Sequence, residues 1–256
     1  MTVRYEAEAP VVVVTIDRPE VANAVDRETS ERLVEAFERF DGDPDLSVAI
    51  LTGAGGKFCA GGDLKAMVQG GGITVTKEGP GPLGPTRMML SKPVIAAVEG
   101  HAVAGGLELA LWCDLRVAAR DATFGVYCRR WGIPLCDGGT VRLPRLIGMS
   151  HALDMILTGR GVGGEEAARM GLVNRLCEPG EALDVARTLA NALARLPQTC
   201  LRSDRRSAYE QRDLDLEAAL RRETELGLAV IGSGETGAGL GKWSSGQWSF
   251  EEFREA

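Results

Sequence analysis

Histidine and paired cysteine motifs, the usual components of metal and redox sites, are scarce in this chain. Its 256 residues include two histidines and six cysteines, and no two cysteines stand in a CxxC spacing. Structural zinc sites take cysteine and histidine ligands at short spacings, and disulfide frameworks belong to small secreted chains. The sequence therefore predicts reduced thiols and no metal site. A chain of this length buries about three quarters of its unfolded surface without either device.

Basic charge and long apolar runs are also lacking. The formal net charge is −7 and the pI is near 5.1, which argues against the clustered Lys and Arg of a nucleic-acid-binding surface. Charged residues interrupt the most apolar stretch, residues 94–119, at Glu99, Glu108, Asp114 and Arg116. This stretch therefore indicates protein core and no membrane span. The first ten residues are charged where a signal peptide is apolar, so the chain is predicted to be cytoplasmic.

Apolar runs alternate with amphipathic segments along the chain. Val11–Ile16 and Val48–Gly53 have the β-branched density of buried strands. Between them, with Asp26 as the predicted N-cap, one helical face carries Leu33, Phe37 and Phe40. The same order recurs over residues 94–119, so the sequence predicts an α/β layer fold. Gln69–Pro85 is rich in glycine and proline and predicts a surface loop.

Two apolar segments that break into glycines carry the strongest chemical signal. Phe58–Leu64 reads FCAGGDL, and Lys92–Leu111 reads KPVIAAVEGHAVAGGLELAL. A strand that breaks at glycines and restarts as a helix leaves backbone N–H groups free to face a ligand. Glu108 follows the second break directly. The pattern therefore predicts two oxyanion donors beside a general acid or base, as an enzyme acting on an activated carbonyl needs.

These two segments, followed by ATFG and GGTVRLPRLIG, resemble the enoyl-CoA hydratase/isomerase (crotonase) family over residues 11–175. The resemblance implies an α/β fold of the ClpP/crotonase type, a spiral of repeated ββα units. It also implies a catalytic core over residues 1–197 and a C-terminal helical trimerisation module over residues 198–256. The predicted assembly is a homotrimer or a dimer of trimers. Leu216, Leu220, Leu226 and Ile231 could serve that contact or cover the core of the monomer, and both alternatives stay open.

The same resemblance assigns the site. It implies that the N–H groups of Ala60 and Gly105 form the oxyanion hole and that Glu108 is the main acid or base. We expect Glu108 to face a polar cleft, the alternative being a buried carboxylate with a raised pKa. An acyl-CoA thioester is the implied partner, and no separate cofactor is needed because coenzyme A is part of the substrate. Its predicted contacts are Val21, Ala22, Gly62, Asp63, Leu64 and Cys128.

The sequence departs from the family pattern at Cys128, which stands where the hydratases have a second glutamate. A thiol is a poorer match than a carboxyl group for delivering a proton to C2 of the acyl chain. Asp137 lies nine residues further along and is assigned a catalytic role. Its alternative is to cap a helix that begins near Gly138. A further departure is Glu20, which replaces the usual lysine beside the coenzyme A phosphates.

The predicted function is hydration of a 2-enoyl-CoA through an enolate held in the oxyanion hole. One alternative is an enoyl-CoA isomerase that uses Glu108 with Asp137. The other, from a different class, is a catalytically weakened acyl-CoA-binding protein that keeps the fold. It is motivated by the missing second glutamate and the missing lysine.

Overall fold

The computed structural model describes residues 2–246, in which strands and helices are interleaved up to residue 177 and helices alone follow. The strands are β1 (Val3–Glu8), β2 (Val11–Ile16), β3 (Val48–Gly53), β4 (Val94–Val98), β5 (His101–Val103), β6 (Leu115–Ala119), β7 (Thr123–Gly125), β8 (Gly161–Gly163) and β9 (Arg175–Cys177). The α-helices are α1 (Arg27–Gly42), α2 (Leu64–Val68), α3 (Gly105–Trp112), α4 (Gly139–Thr158), α5 (Gly164–Arg169), α6 (Ala182–Ala194), α7 (Gln198–Glu210), α8 (Leu216–Gly232) and α9 (Glu235–Ser244).

The main sheet has six strands in the order β1-β2-β3-β4-β6-β9, and only β1 is antiparallel to its neighbour. Helices cover both of its faces. Val12 and Val14 face the larger core beside α1 and α3, whereas Val11 and Val13 pack in a second core with α6. Burial on both faces explains why these strands are continuous apolar runs without alternation. The α/β layers predicted from the sequence are confirmed.

Helix α1 begins as predicted. The Asp26 carboxylate accepts a hydrogen bond from the Thr29 N–H at 2.9 Å, which satisfies a donor that the first helical turn leaves free. The predicted apolar face is fully buried: Leu33, Phe37 and Phe40. The segment Gln69–Pro85 contains no helix or strand, but it is a surface loop only in its first part, because Gly81–Pro85 is buried.

A small second sheet, in the order β5-β7-β8, brings the two glycine breaks together. Cys59 pairs with Ala102 in a parallel bridge, so the FCAGGDL segment runs alongside β5 just before α3 begins. All eight residues of α3 are buried. The two backbone segments predicted to supply donors are therefore neighbours in the fold.

Helices α7, α8 and α9 form the last part of the described chain. Arg205 Nε and Tyr209 Oη each donate to the Asp114 carboxylate at 2.8 Å, which fastens α7 to the main body. The apolar side chains Leu216, Leu220 and Ile231 are 75%, 55% and 61% exposed, so they do not cover the monomer core. The domain boundary at residue 197 stays a prediction, and residues 247–256 lie outside the described residues. No helix within residues 2–246 is long and apolar enough to cross a membrane.

Candidate active site

A mainly apolar cavity of about 170 Å³ lies where the FCAGGDL segment, the start of α3 and the chain before α4 meet. Its apolar wall includes Leu64, Met67, Ile73, Leu83, Tyr127, Trp131 and Ile133. Four chemically active side chains also line it, namely Glu108, Cys128, Cys136 and Asp137. An apolar cavity with a few convergent polar groups is the usual form of a small-molecule site.

Glu108 is buried, with 2% of its surface exposed, and it still faces the cavity. Its Oε1 accepts hydrogen bonds from the Asp137 N–H at 2.9 Å and the Gly139 N–H at 2.7 Å. Loss of hydration raises the pKa of Glu108 to about 7, and the charge of Asp137 adds to the rise, while the two N–H donors oppose it. The expected polar cleft is therefore wrong. The carboxylate is buried and titrates near neutrality.

Gly139 reaches Glu108 because it has no side chain. A Cβ at this position would lie 2.9 Å from Glu108 Oε1, which is closer than real Cβ atoms approach. Gly139 is also the first residue of α4, and the first N–H groups of a helix have no partner within it. The N-terminus of α4 therefore provides a ready donor for one oxygen of Glu108. Both of these bonds go to Oε1, and Glu108 lines the cavity, so Oε2 is the oxygen that is left for a substrate or water.

Asp137 is held differently. Its Oδ1 accepts hydrogen bonds from the Leu83 N–H at 2.9 Å and from the Thr86 hydroxyl. Burial raises the pKa of Asp137, while the Thr86 contact lowers it. Helix α4 is capped at Gly138 without any side-chain bond, so the alternative of Asp137 as a helix cap is contradicted. Asp137 is 3% exposed and lines the cavity, and its catalytic role stays a prediction.

Cys128 lies in the short 3₁₀ helix Tyr127–Trp131 and is 7% exposed. Burial raises the pKa of its thiol, and the negative charge of Glu108 raises it further. The thiol is therefore protonated at neutral pH. It lines the cavity as a neutral, weakly polar group where the family pattern has a carboxylate.

The structure corrects the predicted pair of oxyanion donors. The Ala60 N–H donates to the Ala22 carbonyl at 3.1 Å, so it is already occupied and the prediction for Ala60 is contradicted. Two residues further on, the Gly62 N–H has no partner among the described residues, and Gly62 lines the cavity. The Gly105 N–H, at the start of α3, is equally without a partner there. Gly62 had been assigned only a substrate contact.

Backbone strain at Ala104 accompanies the start of α3. Its φ of 53° and ψ of −124° are unusual for an alanine, and ψ sets the direction of the following Gly105 N–H. The other segment approaches closely here, because a Cβ on Gly61 would lie 2.7 Å from the Gly105 nitrogen. Strained residues persist where the surrounding structure fixes them, and they cluster at functional sites.

Two of the other predicted substrate contacts, Gly62 and Leu64, line the cavity, but Asp63 does not. The Asp63 carboxylate caps α2 through the Ala66 N–H and forms an ion pair with Arg18, each at 3.0 Å. These contacts make the Asp63 side chain part of the scaffold, and its contact with substrate stays a prediction.

Val21 and Ala22 lie at a turn beside the FCAGGDL segment, where the Ala22 carbonyl accepts from the Ala60 N–H. Their contacts with coenzyme A stay a prediction. Sequence reasoning missed the residues that hold the two carboxylates, namely Leu83, Thr86 and Gly139. The glycine pair at the start of α4 is a local signal for Gly139, whereas Leu83 and Thr86 lie more than fifty residues from Asp137.

Known proteins resemble the chain over nearly its full length. A family model described as enoyl-CoA hydratase/isomerase matches residues 6–243. Enoyl-CoA hydratase EchA19 of Mycobacterium tuberculosis is 38% identical over 233 residues, covering 88% of this chain and 87% of that protein. A carnitinyl-CoA dehydratase of Salmonella arizonae is 41% identical over 222 residues, covering 86% and 85%.

The fold agrees with these matches. A crystal structure of enoyl-CoA hydratase from Mycobacterium tuberculosis H37Rv superimposes with a TM-score of 0.91 at 40% identity, covering 95% of this chain and 96% of the other. The predicted crotonase fold is thereby confirmed. With a family match across the described core and a buried glutamate facing its main apolar cavity, the chain belongs to the enoyl-CoA hydratase/isomerase (crotonase) family and is an acyl-CoA enzyme.

Proposed function

We propose that this enzyme adds water across the C2=C3 bond of a 2-enoyl-CoA and catalyses the reverse dehydration. The observation that carries this proposal is Glu108, whose pKa is raised to about 7 in the cavity while the N–H groups of Asp137 and Gly139 both bind the same oxygen, Oε1. A group that titrates near the working pH can both accept and return a proton. Two similar proteins, 38% and 41% identical to this chain and named hydratase and dehydratase, support the same reaction class.

The substrate carbonyl is proposed to lie between the N–H groups of Gly62 and Gly105. Both line the cavity and neither has a partner within the described chain. Donors fixed before the reaction stabilise the negative charge that develops on the thioester oxygen, by on the order of 3 kcal/mol each in other enzymes. In this proposal Gly62 replaces the originally predicted Ala60.

Glu108 then performs the proton transfers. Its carboxylate accepts one proton of a water molecule while the water oxygen bonds to C3. The electrons of the C2=C3 bond move to C2 and onto the thioester oxygen, forming the enolate. The carboxylic acid of Glu108 returns the proton to C2, which restores the carboxylate and balances the addition. This sequence requires one carboxyl group, so Cys128 needs to do no more than line the cavity.

Isomerisation is the second candidate, and Asp137 is the observation that favours it. Its carboxylate is 3% exposed and lines the same cavity as Glu108. Two carboxyl groups at different points along an acyl chain can remove a proton at C4 and deliver one at C2 without adding water. The binding-protein alternative is not carried forward, because the family assignment identifies the chain as an enzyme.

Proton NMR in deuterated buffer tests the proposal. The purified protein is mixed with crotonyl-CoA or 3-hexenoyl-CoA, and water addition, double-bond migration and deuterium exchange at C2 are followed separately. We expect 3-hydroxyacyl-CoA from crotonyl-CoA. Migration without addition would replace hydration by isomerisation, and no change in either substrate while both bind would overturn both reactions.

Two variants serve as controls for this experiment. Glu108→Gln should bind the CoA ester and lose turnover, which excludes a contaminating hydratase. Cys128→Ser should keep hydration, because serine supplies a neutral group of similar size. Loss of hydration in Cys128→Ser with unchanged binding would make the thiol the proton donor to C2 and contradict the single-carboxylate sequence.

The homotrimer or dimer of trimers stays part of this proposal. It is supported by exposed apolar side chains on α8 and α9, namely Leu216, Leu220, Leu228, Ile231 and Leu240. Buried contact with other copies would remove them from water. Sedimentation equilibrium of the purified protein measures the assembly, and a stable monomer would contradict it. The predicted cytoplasmic location also stays a prediction.

A further inference from the structure

A second cavity, of about 480 Å³, lies behind the loop that carries Asp137. Five arginines and one aspartate line it: Arg87, Arg142, Arg145, Arg205, Arg212 and Asp213. The chain as a whole carries a formal charge of −7, so this concentration of positive charge runs against its composition. A cleft lined by one sign of charge focuses the field and attracts the opposite ion.

One of these five arginines forms an ion pair within residues 2–246, and the charges of Arg87 and Arg142 also act on the buried Asp137 carboxyl group. Arg205 pairs with Asp114 at 2.8 Å. Within residues 2–246 the other four arginines form no ion pair, and their recorded partners are backbone carbonyls or the Tyr209 ring. Guanidinium groups that share one cavity repel each other unless an anion lies among them. The cavity therefore has the electrostatics of a binding site for an anion.

Arg142 is placed to bind such an anion without releasing its present partners. Its Nη1 donates to the Asp137 carbonyl at 2.8 Å and its Nη2 donates to the Thr86 carbonyl at 2.6 Å. A guanidinium has five N–H donors, so these two bonds leave three. Arg142 can thus hold the loop on one side and a ligand on the other.

The shape and the surrounding elements favour a small, highly charged ligand. The volume lies in the range of small-molecule sites. Thr140 and Val141, in the first turn of α4, line the cavity beside the arginines, so the positive end of the helix dipole adds to their charge. Arginine forks match the oxygens of phosphate groups in pairs. We propose that this cavity binds a polyvalent phosphate anion.

This site is separate from the acyl cavity and does not depend on the reaction proposed there. Cys136 lines both cavities, and the short loop of residues 136–138 forms the wall between them. Arg145, Arg205 and Arg212 line only the second cavity. Variants at Arg145 and Arg212 can therefore test anion binding without removing any group of the active site.

Isothermal titration calorimetry of the full-length protein with inorganic pyrophosphate, at constant ionic strength, tests the proposal. We expect saturable binding to the wild type and a Kd at least about tenfold higher in the double variant Arg145→Ala/Arg212→Ala, because each substitution removes a charged hydrogen-bond donor. Arg221→Ala is the control, because this exposed arginine of α8 does not line the cavity and pairs with Glu217 one helical turn earlier. It should bind like the wild type.

Two results would overturn the proposal. One is the absence of saturable heat at constant ionic strength, or the same Kd in the double variant as in the control. The other is a double variant that changes the assembly in sedimentation while wild-type protein binds no pyrophosphate, which would show that a second copy fills the cavity. A titration with adenosine diphosphate identifies the source of the phosphate. Tighter binding than pyrophosphate, lost in the double variant, assigns a nucleotide, and equal binding assigns phosphate alone.

Discussion

Glu108 and Asp137 are two buried carboxyl groups in the wall of one cavity, yet the protein holds them in different ways. Glu108 lies on the buried helix α3 and accepts from two backbone N–H groups, one of them at the start of α4. Asp137 lies on a loop and accepts from one backbone N–H and the Thr86 hydroxyl. Burial raises the pKa of both, and it raises that of Glu108 to about 7.

The difference teaches that burial alone does not make a carboxyl group an acid or base for neutral pH. Glu108 combines burial with the nearby charge of Asp137, whereas the Thr86 contact and the positive charges of Arg87 and Arg142 lower the pKa of Asp137. Environments that push two pKa values apart assign two roles. We therefore expect Glu108 to carry the proton transfer, and four predictions can break or sharpen this contrast.

The largest effect is expected on turnover. Glu108→Gln should lower kcat for hydration by about a thousandfold, within the range for loss of a general acid and base, with the CoA ester still bound. Asp137→Asn should lower it by less than about tenfold, because Asn keeps an oxygen for the Leu83 N–H and the Thr86 hydroxyl. Steady-state kinetics of both variants measures the contrast. Equal losses would make the two carboxyl groups partners.

Glu108→Gln should lower turnover but raise the free energy of unfolding. Its pKa is 4.5 when unperturbed and about 7 in the folded protein, so the folded state binds more protons between these values. The free energy of unfolding from this group therefore falls as pH rises through that window, by about 3 kcal/mol at most. Glu108→Gln should remove this loss of stability, because glutamine does not ionise.

Urea unfolding of the wild type and Glu108→Gln measures this effect at pH 5, near the lower end of the window, and at pH 8, about a unit above its upper end. The stability gained by the variant should be larger at the higher pH. A gain that is the same at both values would contradict a raised pKa of Glu108. The comparison between variants cancels the titration of groups that do not interact with Glu108.

A smaller effect is expected on the pH profile. If hydration needs the ionised form of Glu108, kcat/KM falls as pH drops through about 7. Asp137→Asn removes a negative charge that raises this pKa, so the acidic limb should move to lower pH. Cys128→Ser, which removes no charge at neutral pH, should leave the limb in place. A limb that does not move in Asp137→Asn would mean that the two carboxyl groups do not interact.

The smallest effect is expected at the strained start of α3. Ala104→Gly should stabilise the protein by about 1 kcal/mol, because glycine adopts positive φ without a Cβ clash. For a chain of this size that raises Tm by about 2–4 °C. Ala102→Gly in β5 is the matched control and should destabilise. Calorimetry checks both, and a lower Tm for Ala104→Gly would contradict the strain.

The sequence predicted the parts of the fold that local patterns determine. Val11–Ile16 is an apolar run because both faces of its sheet are covered, and Asp26 caps α1 as its position before the helix indicates. The glycine breaks also led to Gly105 and Glu108, both of which line the cavity. These features are local because a strand, a cap and a helix start each involve neighbouring residues.

The rest depended on contacts between distant residues. The Ala22 carbonyl decides which N–H of the FCAGGDL segment is free. It accepts a hydrogen bond from the Ala60 N–H, and the Gly62 N–H stays free in the described part of the chain. Aspartate before a helix has a strong preference for capping. The Asp137 carboxylate does not cap the helix, because it accepts hydrogen bonds from Leu83 and Thr86, more than fifty residues earlier in the chain. Spacing alone cannot reveal such partners.

Leu83 links the shape of the cavity to its proton chemistry. Its side chain forms part of the apolar wall, and its N–H holds the carboxylate of Asp137. A rebuilt loop that admits a longer or branched acyl group would also release that carboxylate. The same loop therefore sets both the substrate range and the reactivity of this enzyme. A redesign of Pro82–Thr86 for a new substrate must also be selected for retained reactivity.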